Sequence, residues 1–230
     1  MILNFLGCGC VYYPMFGNTS AWFQVDEHLF LLDCGENIFT RLRQSTLLER
    51  CQDVTVLITH SHADHIGSLP TLISYMRDVE QKSITVCFPH SEITKWIACC
   101  GIPQTDYRFV RGSDFALPSG VFCCAHPVDH HPGMPCYGYH ITGDFGSFYY
   151  SGDARRLPPD MLEAFLHRHI LEIYQDTTFL QEQGNSHGSL AYLCSAIPPA
   201  LRKHVYPMHV SGDFFQDIHL QGFGTCMKHA

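Results

Sequence analysis

The sequence predicts one domain of mixed α and β structure, with its strands in two sheets or in one large one. Three observations carry this. Short apolar runs rich in β-branched residues alternate along the chain with segments whose apolar residues recur at helical spacing. The 230 residues hold no low-complexity linker, charge block or internal repeat that would divide them, so a single domain over residues 1–230 is expected. Apolar residues make up 46% and charged ones 16%, which is too apolar for disorder and ample for a sizeable core.

In chain order, residues 1–6 are expected as a strand that ends at Gly7 and Gly9. Residues 20–25 and 28–32 pattern as a hairpin, alternating at first and apolar at the end. Residues 38–48 have helical spacing. Residues 54–59 are a short β-branched run, as a buried strand requires. Residues 69–76 read as a helix, with Pro70 tolerated only in its first turn. A strand at 84–88 follows, then a helix capped by Ser91, running to Cys100 and stopped by Gly101. Strands are expected at 121–125, 137–141 and 147–150, the last two joined by the hairpin signal Gly143-Asp144-Phe145-Gly146. A helix at 161–167, a strand at 170–174, a helix at 189–196 and a strand at 204–207 complete the order.

Composition excludes several classes. No apolar run approaches the roughly 18 residues of a membrane span. Met1-Ile2-Leu3-Asn4-Phe5-Leu6 lacks the basic start of a signal peptide, so a cytoplasmic protein with reduced cysteines is expected. No Cys-x-x-Cys occurs, which leaves most of the 12 cysteines as small core hydrophobes. The formal charge of −8 argues against a broad nucleic-acid surface. The 16 histidines make a metal site worth seeking.

The strongest signal follows the strand at 54–59: His60-Ser61-His62-Ala63-Asp64-His65-Ile66-Gly67. In extended chain, residues two apart point the same way, so His60 and His62 can share one cation. Asp64 and His65 open the next element and can turn toward a second, and Gly67 lets that helix begin close by.

This His-x-His-x-Asp-His pattern after a strand resembles the hallmark of the metallo-β-lactamase superfamily, and the resemblance extends over most of the chain. Leu31-Leu32-Asp33-Cys34-Gly35 is similar to its first motif, Ser151-Gly152-Asp153 to the bridging-carboxylate motif and Pro207-Met208-His209 to the last ligand motif. The segment from Val128 to Tyr139 is similar to the third, whose ligand is either His130, four residues before Met134, or His131, before Pro132-Gly133. His130 is favoured. The resemblance implies a four-layer αβ/βα sandwich with metals at the sheet edges. It implies His60, His62 and His130 on one divalent ion and Asp64, His65 and His209 on another. Asp153 would bridge them beside a hydroxide, and Asp33 would orient a ligand histidine by accepting its free ring N–H. Zinc is the default ion, with Mn or Fe compatible.

Within the superfamily, His62 stands where the oxygen-reducing di-iron branch carries Glu, and Asp153 is absent from the true β-lactamases. Only residues 210–230 follow His209, so a helical substrate domain of the glyoxalase II kind is not expected. Tyr174-Gln175-Asp176-Thr177 and Ser186-His187-Gly188-Ser189-Leu190 are similar to the tRNA 3′-processing nuclease branch (RNase Z), as are Phe5-Leu6-Gly7-Cys8-Gly9-Cys10 and Asn18-Thr19-Ser20. That branch implies Asp176 orienting His187 as general acid, with Asp64 counted both as ligand and as catalytic candidate. Its long basic tRNA-gripping arm has no counterpart in residues 154–173, and the nearest basic groups are Arg155, Arg156, Arg202 and Lys203. Tight polyanion binding needs many phosphate contacts, so tRNA is disfavoured.

The expected function is a dinuclear metal phosphodiesterase for a small or cyclic nucleotide-type phosphodiester or RNA ends, by metal-bridged hydroxide attack. The alternatives are a lactone, thioester or other ester or amide hydrolase on the same metals, and a non-catalytic metal-binding recruiting module. Substrate and oligomeric state stay open, a homodimer being compatible. Phe214, Phe215 and Phe223 could serve as core, lid or interface.

Overall fold

Along residues 28–32 every side chain is buried, and successive ones go to opposite sides. Leu29 and Leu31 join one apolar cluster, Phe30 and Leu32 another. Such a strand must be covered on both faces, which requires layers. The computed structural model describes residues 1–179 and 186–226. Its first sheet contains β1 (Asn4–Gly7), β2 (Ser20–Val25), β3 (His28–Leu32), β4 (Asp53–Leu57), β5 (Ile84–Phe88) and β6 (Arg108–Arg111), side by side in chain order. The second contains β7 (Asp114–Ala116), β8 (Phe122–Pro127), β9 (Tyr137–Gly143), β10 (Gly146–Tyr150), β11 (Glu172–Asp176) and β12 (Val205–Met208), again in chain order across the sheet.

The outer face of the first sheet packs on α1 (Ile38–Gln44), α2 (Leu47–Arg50), α4 (Leu69–Tyr75) and α5 (Glu92–Cys99), through Ile38, Leu42, Leu48, Leu72, Ile73, Ile93 and Ile97. The short α3 (Ala63–Ile66) lies between α2 and α4 in the chain. The inner faces meet through aromatic rings. Phe30 stacks on Phe23 at 4.7 Å, and Phe148 of β10 meets Phe23 edge-on at 5.6 Å. Each such pair adds about 0.5–1.5 kcal/mol beyond its buried area. The same cluster continues through the second sheet to Phe165 of α6 (Pro159–Leu166), Leu193 of α7 (Leu190–Ala196) and Ile218 of α8 (Phe215–Leu220). This is the αβ/βα sandwich that the motifs implied. Phe214 and Phe223 are buried in it, and Phe215 packs against it, so these rings are core.

The predicted hairpin and the strand at 84–88 form with the expected bounds. The expected helix at 38–48 is broken, because the Ser45 hydroxyl donates to the Leu42 carbonyl and accepts from the Leu47 N–H, replacing helical bonds there. The strand expected at 170–174 is shifted to Glu172–Asp176, which brings Asp176 into the strand itself. Ser91 does precede α5, but its side chain makes no cap; Ser189 does cap α7, accepting from the Tyr192 N–H at 3.1 Å. β6, β7 and α8 were not foreseen, and the helical start expected at Asp64 and His65 is a separate single turn, α3: all four are three to six residues long, and β6 carries an arginine at each end in place of an apolar alternation.

Strands β3, β4, β5 and β6 are mutually parallel, as are β10, β11 and β12. Parallel strands gather their C-terminal ends on one side, where open α/β sheets place their binding crevices. Asp33, His60, Asp153, Asp176 and His209 all stand at or just beyond those ends. No helix among the described residues is long and apolar enough to cross a membrane.

Candidate metal centre

β4 runs out extended into His60 and His62, and α3 begins at once, with His62 at its N-terminal boundary and Asp64 and His65 in its single turn. The tight turn depends on Gly35, where an added Cβ would collide with the Asp64 carbonyl. From the second sheet, the chain leaves β10 through Gly152, which has φ of +56° and would place a Cβ 2.7 Å from Thr59 Cβ. That reversal delivers Asp153. His209, directly after β12, also has positive φ, +55°. A non-glycine residue held there costs on the order of 1 kcal/mol or more, which the surrounding packing has to sustain.

Two sets of candidate ligand atoms result, each gathered within 4.8 Å: His60, His62, His130 and Asp153, and Asp64, His65, Asp153 and His209. Asp153 belongs to both. In the first, His62 Nδ1 lies 2.9 Å from His60 Nε2 and 3.2 Å from His130 Nε2, and Asp153 Oδ2 is 3.5 Å from His130 Nε2. Of the two third-motif candidates, His130 is buried in the set, whereas His131 is exposed, its ring 5.5 Å from that of His62.

In the second set, Asp33 Oδ2 lies 2.8 Å from His65 Nδ1. Its carboxylate also accepts from the Thr59 N–H and hydroxyl, both at 2.8 Å. With the ring proton on Nδ1, His65 Nε2 presents a lone pair toward Asp153 Oδ1 at 3.2 Å and Asp64 Oδ2 at 3.4 Å. His209 Nε2 faces the same two oxygens at 3.4 and 3.3 Å. His65 Nε2 and Asp153 Oδ1 are buried without a hydrogen bond. Buried acceptors that converge on one point repel one another unless a cation lies among them. The donors therefore fit a divalent metal of the zinc type, by nitrogen and carboxylate chemistry.

Thr59 is the residue that motif reading missed. Its hydroxyl touches Asp33 and lies 3.0 Å from His60 Nδ1, so one side chain steadies both sets. In the sequence it is merely the last β-branched residue of a strand. No cysteine joins either set, and burial pushes the nearby Cys8 and Cys34 thiols up to about 12, away from the thiolate a metal would need.

A third set gathers Asp153, Asp176, His187 and His209. His187 Nδ1 lies 2.8 Å from Asp176 Oδ2, which also accepts the Ala154 N–H at 3.0 Å. The His187 ring stacks on that of His209 at 5.0 Å and meets His130 at 4.9 Å. Burial draws the His187 pKa down, but the Asp176 carboxylate outweighs it and raises it above the ordinary value. All this lies beneath a cavity of about 490 Å³ walled by Cys10, Val11, Tyr12, His131, Thr178 and Ser211.

A family model of the beta-lactamase superfamily domain matches residues 28–210. The chain belongs to the metallo-β-lactamase superfamily. The match spans β3 to the residue after His209 and takes in every candidate ligand. Over 222 residues the chain is 28% identical to the anti-Pycsar protein Apyc1 of Paenibacillus harenae, covering 91% of this chain and 89% of that protein. It is also 28% identical over 151 residues to a ribonuclease Z of Exiguobacterium sibiricum, covering 62% of this chain and 49% of that nuclease. The metallo-β-lactamase fold protein YhfI from Bacillus subtilis superposes with a TM-score of 0.75 at 14% identity, covering 97% of this chain and 93% of that one, so the two share a fold.

This metallo-β-lactamase superfamily hydrolase has its imidazoles split by charge. Burial, then the neighbouring His65, hold His60 well below the ordinary imidazole range, and burial also lowers His62 and His130. Burial acts the same way on His65 and His209, but Asp153 and Asp33 around the first, and Asp153, Asp176 and Asp64 around the second, raise both well above it. A raised folded pKa stabilises the metal-free chain at low pH, fully below about 6.5, and that stability is lost as pH rises through the folded value. A cation must also displace those protons. The thermal stabilisation produced by added zinc should therefore be large at pH 8 and shrink toward pH 6, with metal lost below about pH 6. Melting curves with and without zinc at pH 8, 7 and 6 measure this; an equal shift at all three would contradict the site.

Asp33 supplies a second test. Removing a carboxylate that orients a metal-bound imidazole costs about 10–100-fold in metal affinity. Asp33→Ala should show that loss in a competition with a chromogenic chelator, and wild-type affinity in a folded variant would reduce Asp33 to a structural role.

Proposed function

We propose that the protein is a dinuclear metal phosphodiesterase acting on a small or cyclic nucleotide-type phosphodiester. The observation that carries the reading is the His187–Asp176 pair, 2.8 Å apart, with Asp176 buried behind His187 and His187 in the wall of the cavity over both ligand sets. His60, His62 and His130 would hold one ion, Asp64, His65 and His209 the other, and Asp153 both. When bound, two divalent metals, zinc by default, would supply Lewis acidity to the phosphoryl oxygens and a nucleophilic water of lowered pKa.

The chain's own groups then have distinct work. Asp33 holds His65 in one tautomer through the 2.8 Å contact to Nδ1. Asp176 orients His187, whose raised pKa keeps a proton available near neutral pH, and Nε2 is the atom from which it would pass to the departing oxygen. A protonated leaving group matters most for phosphodiesters, whose alkoxides leave poorly. A relative named ribonuclease Z supports phosphodiester chemistry.

Two features support a small substrate over tRNA. A cavity of about 490 Å³ lies in the range of small-ligand sites. No lysine or arginine lines it among the described residues, and the net charge is −8. The test is the zinc-loaded protein against 3′,5′- and 2′,3′-cyclic nucleotides, a linear dinucleotide, pre-tRNA, a lactone and a thioester. Turnover confined to the cyclic or short phosphodiesters is expected. Turnover of the lactone or thioester with every phosphodiester untouched would overturn the proposal.

A further inference from the structure

Resting on that reading, we infer that Tyr12 is a stacking platform for the nucleobase of the substrate, so that a base-bearing phosphodiester is preferred over one without a base. Val11 and Tyr12 are the two central residues of a turn closed by the Tyr13 N–H on the Cys10 carbonyl at 3.1 Å. Such positions favour Gly, Asn, Asp or Pro, each for a local reason. Here they carry an aliphatic and an aromatic side chain, and Tyr12 is 91% exposed. Its ring makes no aromatic contact among the described residues, whereas its neighbour Tyr13 packs on Phe16 at 5.1 Å and Phe16 on Phe215 at 5.1 Å. One tyrosine anchors the loop and the other is left presented.

The turn is tied to the candidate metal centre. The Cys10 N–H donates to the Val210 carbonyl at 3.1 Å, and the Val210 N–H to the Cys8 carbonyl at 2.8 Å. Val210 is the residue after His209, so the position of Tyr12 is coupled through two backbone bonds to a candidate ligand. Cys10, Val11 and Tyr12 form one wall of the cavity, while the members of the His/Asp sets that line it, with His131, Thr178, Ser186, His187 and Ser211, supply its polar remainder. A phosphoryl group at the polar floor leaves a nucleoside at the aromatic wall. With no lysine or arginine in the lining among the described residues, the phosphate end is met by the candidate metal centre, and the aromatic face is what the opposite wall offers to the nucleoside. A phenol ring stacks on any base, since every base has a π-face, so the preference is for a base and not for one particular base.

The experiment compares an adenosine and a uridine 3′,5′-cyclic phosphate with the abasic ribose 3′,5′-cyclic phosphate, using zinc-loaded wild type, Tyr12→Ala and Tyr12→Phe. One stacked base is worth about tenfold in binding or more. Wild type should therefore favour both nucleotides over the abasic compound by about tenfold or more in kcat/KM, Tyr12→Ala should erase the preference through KM, and Tyr12→Phe should keep it. A wild type indifferent to the base, or a Tyr12→Ala variant that keeps the full preference, would overturn the inference while leaving the phosphodiesterase reading intact. So would a Tyr12→Ala variant that changes oligomeric mass with selectivity retained, since the ring would then serve a second copy of the chain. Turnover of none of the three by a protein that opens a lactone or thioester would overturn the reading and the inference together.

Discussion

Replacing Asp153 by Asn should lower kcat/KM by about a thousandfold or more and leave the protein short of its metal complement. Asp153 contributes to both ligand sets, its Oδ1 3.2 Å from His65 Nε2 and its Oδ2 3.5 Å from His130 Nε2. Each cation is worth several kcal/mol of charge stabilisation, and about 4 kcal/mol corresponds to a thousandfold. Asn keeps the volume, so the packing around a fully buried side chain is preserved. The native Asp153 is strongly ionised: burial opposes the charge, but His209 and His65 outweigh it and hold the carboxyl well below the ordinary range. The neutral amide loses that attraction to the metals while remaining able to fill the site. Metal content per chain by inductively coupled plasma spectrometry, alongside kinetics, measures the effect. Two ions retained per chain with near-native turnover would remove Asp153 from the centre of the site.

His187→Ala should slow hydrolysis of a phosphodiester with an alkoxide leaving group by roughly 10²- to 10⁴-fold, the usual worth of a general acid. The same variant should cost far less with a p-nitrophenyl ester, whose phenolate departs without a proton. Asp176→Asn should follow the same pattern more weakly, since it removes the acceptor that orients the ring at 2.8 Å but leaves the imidazole. The alkaline limb of the pH–rate profile adds an independent readout. A raised His187 pKa places loss of the acid on the alkaline side of the ordinary imidazole value, and this limb should vanish in His187→Ala. Equal losses on both leaving groups would make His187 a structural or binding residue.

The strands and the metal motif were legible for a simple reason. Buried β3 and β4 need near-continuous apolar runs, and the run at 54–59 ends where His60-Ser61-His62-Ala63-Asp64-His65 begins. Local pattern and ligand spacing lie in one short window there. Asp33, Asp153 and His209 could be named as candidates because each stands at the end of such a run within a recognisable motif. Thr59 escaped notice because its importance comes from what it touches, and nothing in its sequence neighbourhood separates it from any other strand threonine.

Other features depended on contacts between distant segments. The choice of His130 over His131 is made by burial against His62, 68 residues away in the chain. The union of two ligand sets through Asp153 needs the ends of β4, β10 and β12 on one side, which follows from parallel pairing within each sheet and from the facing of the sheets. The cavity and the exposed ring of Tyr12 above it arise only when the turn after β1 is bonded beside His209. Ligand identity is local chemistry, carried by residue type and spacing. The sharing of a ligand, the pairing of His187 with Asp176 and the wall around the substrate are properties of packed strand ends, whose relative positions are set by sheet pairing and core burial.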